Sequence, residues 1–241
     1  MKKTLLIILS LIYFGITTQA QELIRFEKAG KYGYTNQNGK TVISAKYSQA
    51  YDFSEGLALV RDNSKCGFID EKGKIIIPLQ YYAGTPFQAG VAGVMAMVGS
   101  KFKWGLIDKS GKEVAPFTYD GAKTFSEEML AVNTGGEGLL LKGVPFTKGG
   151  KWGFIDKTGK EIVVPVYDAV YNFSEGLAAV SMGGKGLLGI GGKWGFVDNA
   201  GVEIIPLKYD ALLESFKNGK AKVKLNGKEL YIDKAGKELK E

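Results

Sequence analysis

The chain has no histidine among its 241 residues and a single cysteine, Cys66. Lack of histidine removes the commonest general base, every Ser-His-Asp triad and most zinc sites. One thiol can neither close an internal disulfide nor build a cysteine metal site, so stability has to come from packing. Cys66 itself reads as a small buried hydrophobe or, alternatively, as a reactive or intermolecular thiol. Long apolar runs are also scarce. The one present, Leu5 to Ile16, follows Lys2 and Lys3 and precedes Thr18-Gln19-Ala20. That is the pattern of a secretory signal peptide with a small-residue cleavage site, and it is too short for a comfortable membrane span. An uncleaved anchor is the alternative. The expected division is a signal peptide over residues 1–20 and a single β domain over residues 21–241. The mature chain would have no transmembrane helix and would reside outside the cytoplasm, in the periplasm, on the outer surface or secreted. Charge of one sign is not concentrated either. The net charge is +7, but the lysines are spread one or two per turn. This reads as a solvated surface, and no nucleic-acid partner is expected.

What the chain has in abundance is repetition. Copies of one ten-residue stretch begin at Lys31 (KYGYTNQNGK), Lys65 (KCGFIDEKGK), Lys103 (KWGLIDKSGK), Lys151 (KWGFIDKTGK), Lys193 (KWGFVDNAGV) and Lys228 (KELYIDKAGK). Each opens with strand periodicity: Trp152 and Phe154 face one way, Gly153 and Ile155 the other. Each then carries Asp or Asn at the first turn position and Gly three residues later, as in Asp156 and Gly159. That spacing suits a type I turn with a glycine in the adjoining bulge, so the stretch predicts a β-hairpin.

A second block follows every hairpin but the last. It holds a β-branched strand, closed in four cases by Pro78, Pro116, Pro165 or Pro206, where a missing N–H is tolerated at an edge or end. A tyrosine follows (Tyr47, Tyr81, Tyr119, Tyr167, Tyr209), then an aromatic six or seven residues on, then a polar turn such as Ser54–Gly56 or Ser174–Gly176. A short strand leads into the next hairpin. The predicted unit is a three-stranded antiparallel meander. Units start near residues 22, 57, 91, 129, 177 and 221, the last with little of its third strand. Such units cannot bury a core alone and must share one with their neighbours. The expected fold is therefore an all-β tandem repeat, an open twisted array, with a closed propeller-like ring as the alternative.

Unit length varies mainly in the loop before the KWGFID strand. Asn133–Gly150 and Ser181–Gly192 are the two long, glycine-flanked insertions. Their apolar centres, Leu139, Leu140, Leu141, Val144 and Phe146 in one and Leu187, Leu188 and Ile190 in the other, are the candidate partner-binding residues. An extended hairpin folded back on the sheet, or a linker, is the competing explanation.

The pattern KWGFIDKxGKEI…P…YDxxxxFSEGLAxV resembles the WG-repeat family (KWG repeat) of bacterial tandem-repeat proteins. The Trp-Gly pair itself stands at Trp104-Gly105, Trp152-Gly153 and Trp194-Gly195, and the outer copies depart from it as capping repeats would. The resemblance implies an all-β repeat with an interaction role and supplies no catalytic residues. No catalytic, cofactor or metal residues are assigned from the chain either. Asp156 and its equivalents already have a turn to form, and Gly184–Gly189 matches GxGxxG without the strand and helix that motif needs. The three tryptophans read as repeated core, with an aromatic platform for sugars as the alternative. The function expected is an exported, non-enzymatic scaffold for a macromolecular partner, a protein, with a glycan or envelope-polymer module using exposed aromatics as the second reading.

Overall fold

The computed structural model describes residues 22–141, 143–184 and 191–240. Its strands form six antiparallel sheets in chain order. Sheet one holds β1 (Ile24–Lys28), β2 (Lys31–Thr35) and β3 (Thr41–Tyr47); sheet two holds β4 (Gln49–Ala50), β5 (Leu57–Asp62), β6 (Lys65–Asp70) and β7 (Ile75–Tyr81). Sheet three holds β8 (Ala83–Gly84), β9 (Val91–Val98), β10 (Lys101–Asp108) and β11 (Glu113–Tyr119). Sheet four holds β12 (Gly121–Ala122), β13 (Met129–Leu141), β14 (Val144–Asp156) and β15 (Glu161–Tyr167). Sheet five holds β16 (Ala169–Val170), β17 (Leu177–Met182), β18 (Lys193–Asp198) and β19 (Glu203–Tyr209). Sheet six holds β20 (Ala211–Lys217), β21 (Lys220–Leu225) and β22 (Lys228–Asp233). The three-stranded meander is thus the body of sheets one to five, and sheets two to five gain a two-residue first strand. Sheet six differs, because β20 is a full-length first strand and, among the described residues, no strand follows β22, so that unit begins at Ala211 rather than near 221.

The six turns after the KWGFID strands are alike because one side-chain oxygen organises each. Oδ1 of Asn36, Asp70, Asp108, Asp156, Asp198 and Asp233 accepts the backbone N–H groups two and four residues on, at 2.8–3.1 Å. The glycine at the fourth position donates its N–H to the first residue's carbonyl at 2.9–3.0 Å. This is the turn chemistry the Asp-x-x-Gly spacing requires.

The Trp-Gly pair has a different cause. Trp152 pairs with Tyr167 and Phe154 with Val163, so three residues of β15 stand opposite Gly153 alone. A Cβ on Gly153 would lie 2.2 Å from the Val163 carbonyl oxygen and 2.7 Å from Pro165 N. Gly33, Gly67 and Gly195 face the same bulge with 2.4–2.5 Å of room, and Gly105 with 2.9 Å. Only glycine lets the bulged backbone close over the strand. The recurring prolines belong to that bulge. They do not close their strands: they sit within them, on the outer edge of each sheet, where a missing N–H leaves no ladder bond unmade.

The sheets stack face to face, so the middle strands are buried on both sides. Phe154 packs towards sheet five with Phe173, Val180 and Val197; Ile155 packs towards sheet three with Leu106 and Val91. Equivalent clusters join sheets one to two, two to three and five to six. Among the described residues no cluster joins sheet six to sheet one, and no sheet closes into a barrel. The architecture is an open array. Four joints carry an edge-on aromatic pair with ring centroids 4.7–4.9 Å apart: Tyr34 with the half-buried Phe53 between sheets one and two, then Phe68–Phe87, Phe154–Phe173 and Phe196–Phe216. Each of the fully or nearly buried rings among them contributes about 2 kcal/mol of transfer free energy.

Candidate functional site

The insertion from Asn133 to Gly150 is not a loose loop. Its residues prolong β13 and β14 into a long two-stranded hairpin, paired as far as Leu141 with Val144. Two anchors fix its base. Asp120 accepts the Gly135 N–H at 3.0 Å while its other oxygen meets the Lys103 ammonium at 2.5 Å. Thr147 Oγ1 donates to the Asp120 carbonyl at 3.3 Å. The glycine flanks serve close approach: a Cβ on Gly150 would lie 2.4 Å from Gly136 N and 2.3 Å from Asn133 Oδ1.

Pairing sorts the hairpin tip into two faces. Leu139 opposes Phe146 and Leu141 opposes Val144, while Leu140 opposes Pro145 on the other side. Leu140 turns inward, against the buried cluster of Ala83, Met95 and Trp104. Leu141, Val144 and Phe146 are 63, 64 and 38% exposed. The tip is therefore both seated on sheet three and apolar on its outer face. The insertion is an extended hairpin folded back on the sheet that still leaves apolar side chains exposed, because alternation gives one strand pair both a docked and a free side.

The second insertion starts alike. Gly184 N–H donates to Asp168 at 3.1 Å, and Lys151 pairs with the same carboxylate. Burial pushes the Asp168 carboxyl up, but the Lys151 ammonium and the Gly183 and Gly184 N–H groups outweigh it and hold it below the usual range. The equivalent anchor puts both insertions at equivalent places in successive units. Leu187, Leu188 and Ile190 lie outside the described residues.

Beneath the first hairpin is a cavity of about 450 Å³ that no motif announced, because sheets two to five all contribute to its walls. Tyr51, Arg61, Trp104, Lys123 and Pro145 are among its lining. The Lys123 ammonium donates to the Val170 carbonyl at 2.6 Å and lies 5.3 Å from the Trp152 ring and 5.5 Å from the Tyr171 ring. Burial pushes its pKa down. Cys66 also lines the cavity, and burial pushes its thiol up to about 11, which keeps it protonated at neutral pH. Trp104, Trp152 and Trp194 are only 4–7% exposed. Their rings are core, and no platform of stacked tryptophans faces solvent.

Fold and hairpin together define an all-β repeat scaffold built from identical turns and glycine-bulge strands. The WG containing repeat family matches residues 32–66, 67–96, 104–137, 152–185 and 194–228, more than half of the chain, and the chain belongs to it. No curated protein matches the chain. Among solved structures it is similar to the tricorn protease, with 9% identity and a TM-score of 0.30 over 87% of this chain and 27% of that one. It is also similar to TolB from Acinetobacter baumannii, with 11% identity and a TM-score of 0.36 over 90% of this chain and 61% of that one. The chain thus spans less than two thirds of either structure. Among the described residues no helix is long and apolar enough to cross a membrane, and no group of acids and cysteine is placed to hold a metal ion.

Proposed function

We propose that the chain is an exported, non-enzymatic repeat scaffold that binds a protein partner through the outer face of the hairpin tip. The leader-like first twenty residues support export, and the histidine-free composition supports a non-catalytic role. One observation carries the binding reading. Leu141, Val144 and Phe146 present a contiguous apolar face at the end of a hairpin whose base is pinned by Asp120 and whose other face is packed. Free apolar side chains held on a rigid support lose little entropy on docking and are what a protein contact uses. The insertion at 181–192, with Leu187, Leu188 and Ile190, belongs to the same surface in this reading.

The test is affinity capture from envelope and culture fractions. The full chain would be compared with Leu141→Asp/Val144→Asp and with a chain whose two insertions are cut to the length of Arg61–Lys65. The expected result is one set of proteins retained by the parent and lost from both variants. Equal retention by the doubly substituted chain would move the interface off the hairpin tip.

A further inference from the structure

We propose that the cavity beneath the hairpin is a binding site for a compact amphipathic organic acid, its carboxylate towards Lys123 and Arg61 and its apolar body against Trp104 and Pro145. Volume is the first ground. About 450 Å³ is the size of a small-molecule site, and the lining is mostly apolar with a few polar residues. Charge is the second. Among the described residues two cations line the cavity and no carboxylate does, and no acid pairs with Arg61 or Lys123. The hydrogen bonds of both cations go to backbone carbonyls: Arg61 to Ser64 and Tyr82, Lys123 to Val170. Carbonyl dipoles orient these groups without neutralising them. Two unneutralised charges at a partly desolvated apolar wall leave a positive potential that an anion relieves. A cation would be repelled, and a neutral ligand would leave that potential uncompensated.

Position is the third ground. The cavity lies where the short first strands of sheets two to four (β4, β8 and β12) come side by side, and Gly143, Val144 and Pro145 of the hairpin form its rim. A ligand there would touch several units and the tip at once. Sheet four alone supplies both Lys123 and the rim, so the site exists only where a long insertion follows a lysine at this place in the repeat. The corresponding residue is Tyr51 in sheet two, Thr85 in sheet three and Tyr171 in sheet five. That singularity is what a ligand site shows and a purely structural repeat position does not.

The experiment is isothermal titration of the full chain with 2-naphthoate, the neutral 2-naphthamide and the cationic 2-naphthylmethylamine. The expected result is one saturable naphthoate site, at least about tenfold tighter than the amide, and no measurable heat for the amine. Lys123→Met should bring naphthoate down to the amide's affinity and leave the amide unchanged. Val144→Glu, at an exposed rim position, should weaken naphthoate and admit the amine, without touching the interior. Leu141→Asp, which lies off the rim, should leave naphthoate binding as it is, so this single variant separates the cavity from the hairpin-tip contact where Val144→Asp does not. Equal affinity for all three probes would overturn the proposal. So would full naphthoate binding by a folded Lys123→Met chain, or no saturable naphthoate binding by the parent.

Discussion

Replacing Gly153 by alanine isolates the reason for the Trp-Gly pair. Gly153 does not have a positive φ, so its backbone is one that alanine adopts freely. On conformational grounds alone, Gly153→Ala should stabilise the fold by about 0.5–1 kcal/mol, by restricting the unfolded chain. The bulge opposes this. The new Cβ would sit 2.2 Å from the Val163 carbonyl oxygen, 2.7 Å from Pro165 N and 2.8 Å from Val164 C, all backbone atoms that no rotamer change can move. Forcing β15 away from β14 is overpacking of about 1–3 kcal/mol, plus about 1 kcal/mol for a strained ladder bond. A net loss of about 2–3 kcal/mol lowers the midpoint of a chain this size by roughly 5–10 °C. Calorimetry on the alanine series provides an internal scale. Gly153, then Gly33 and Gly195, then Gly67 should cost most, and Gly105 least, because its Cβ would have 2.9 Å to the Ala115 oxygen. A Gly153→Ala chain that melts at or above the parent, or a Gly105→Ala chain that is the worst of the five, would refute the steric account.

Other consequences can be checked with the same instruments. Asp156→Ala removes the acceptor for the Thr158 and Lys160 N–H groups and should cost about 1 kcal/mol, whereas Asp156→Asn, which keeps the oxygen that Asn36 already uses, should cost much less. Pro165→Ala should change stability by under about 1 kcal/mol, since the proline fills a bulge on an edge strand and Ala45 stands at the corresponding place in the bulge of sheet one. The pH dependence follows from Glu55 and Asp168. Each has a folded pKa below its ordinary value, 4.5 for glutamate and 3.8 for aspartate, so the stability it lends is complete above that value. The melting temperature should hold from pH 7 to about 5 and then fall as these groups protonate; Glu55→Gln should reduce the fall, and an unchanged acid limb would count against its role.

Hairpins and the two-faced strands were legible in the sequence because turn chemistry and alternation are local. Asp156 with Gly159 specifies a turn without reference to anything else in the chain. The short strands β4, β8, β12 and β16 were not legible: two residues cannot show a period, and Gln49-Ala50 pairs only because sheet two is already there to receive it. The role of Gly153 was hidden for a related reason, since the bulge that demands it lies eleven to thirteen residues further on. In the Asn133–Gly150 insertion the glycines suggested a loop, yet Leu139, Leu141, Val144 and Phe146 against Leu140 and Pro145 is an alternating pattern folded about Gly143. The cavity left no mark at all, because Arg61, Trp104 and Lys123 belong to three different units.

The hairpin also has work to do inside the array. Sheets two and three are tied by Ser54 Oγ donating to the Phe87 carbonyl and by Glu55 accepting the Gly90 N–H, at 2.6 and 3.0 Å. Ser126 and Glu127 tie sheet four to five, and Ser174 and Glu175 tie five to six, through the same two bonds. Between sheets three and four the donor turn reads Gln88-Ala89-Gly90, so both bonds are missing. Leu106 stands where the other joints have an aromatic ring (Tyr34, Phe68, Phe154, Phe196), so the aromatic pair is missing too. Lys157, which by position would reach a glutamate on sheet three, pairs with Glu128 of its own sheet. The long hairpin crosses this under-tied joint and seats Leu140 against the buried cluster of Ala83, Met95 and Trp104. Its removal should therefore raise hydrogen exchange in β9, β10, β12 and β13 while leaving β18 and β21 as protected as before. The two joints are separate packing units in a repeat array, and their local stabilities add nearly independently. Uniform loss of protection across all six sheets would show instead that the array opens as one body. If exchange does rise at this joint alone, a shortened hairpin that fails to capture a partner is open to two explanations. The exposed substitutions Leu141→Asp and Val144→Asp, which leave Leu140 seated, then become the decisive arm of the capture experiment.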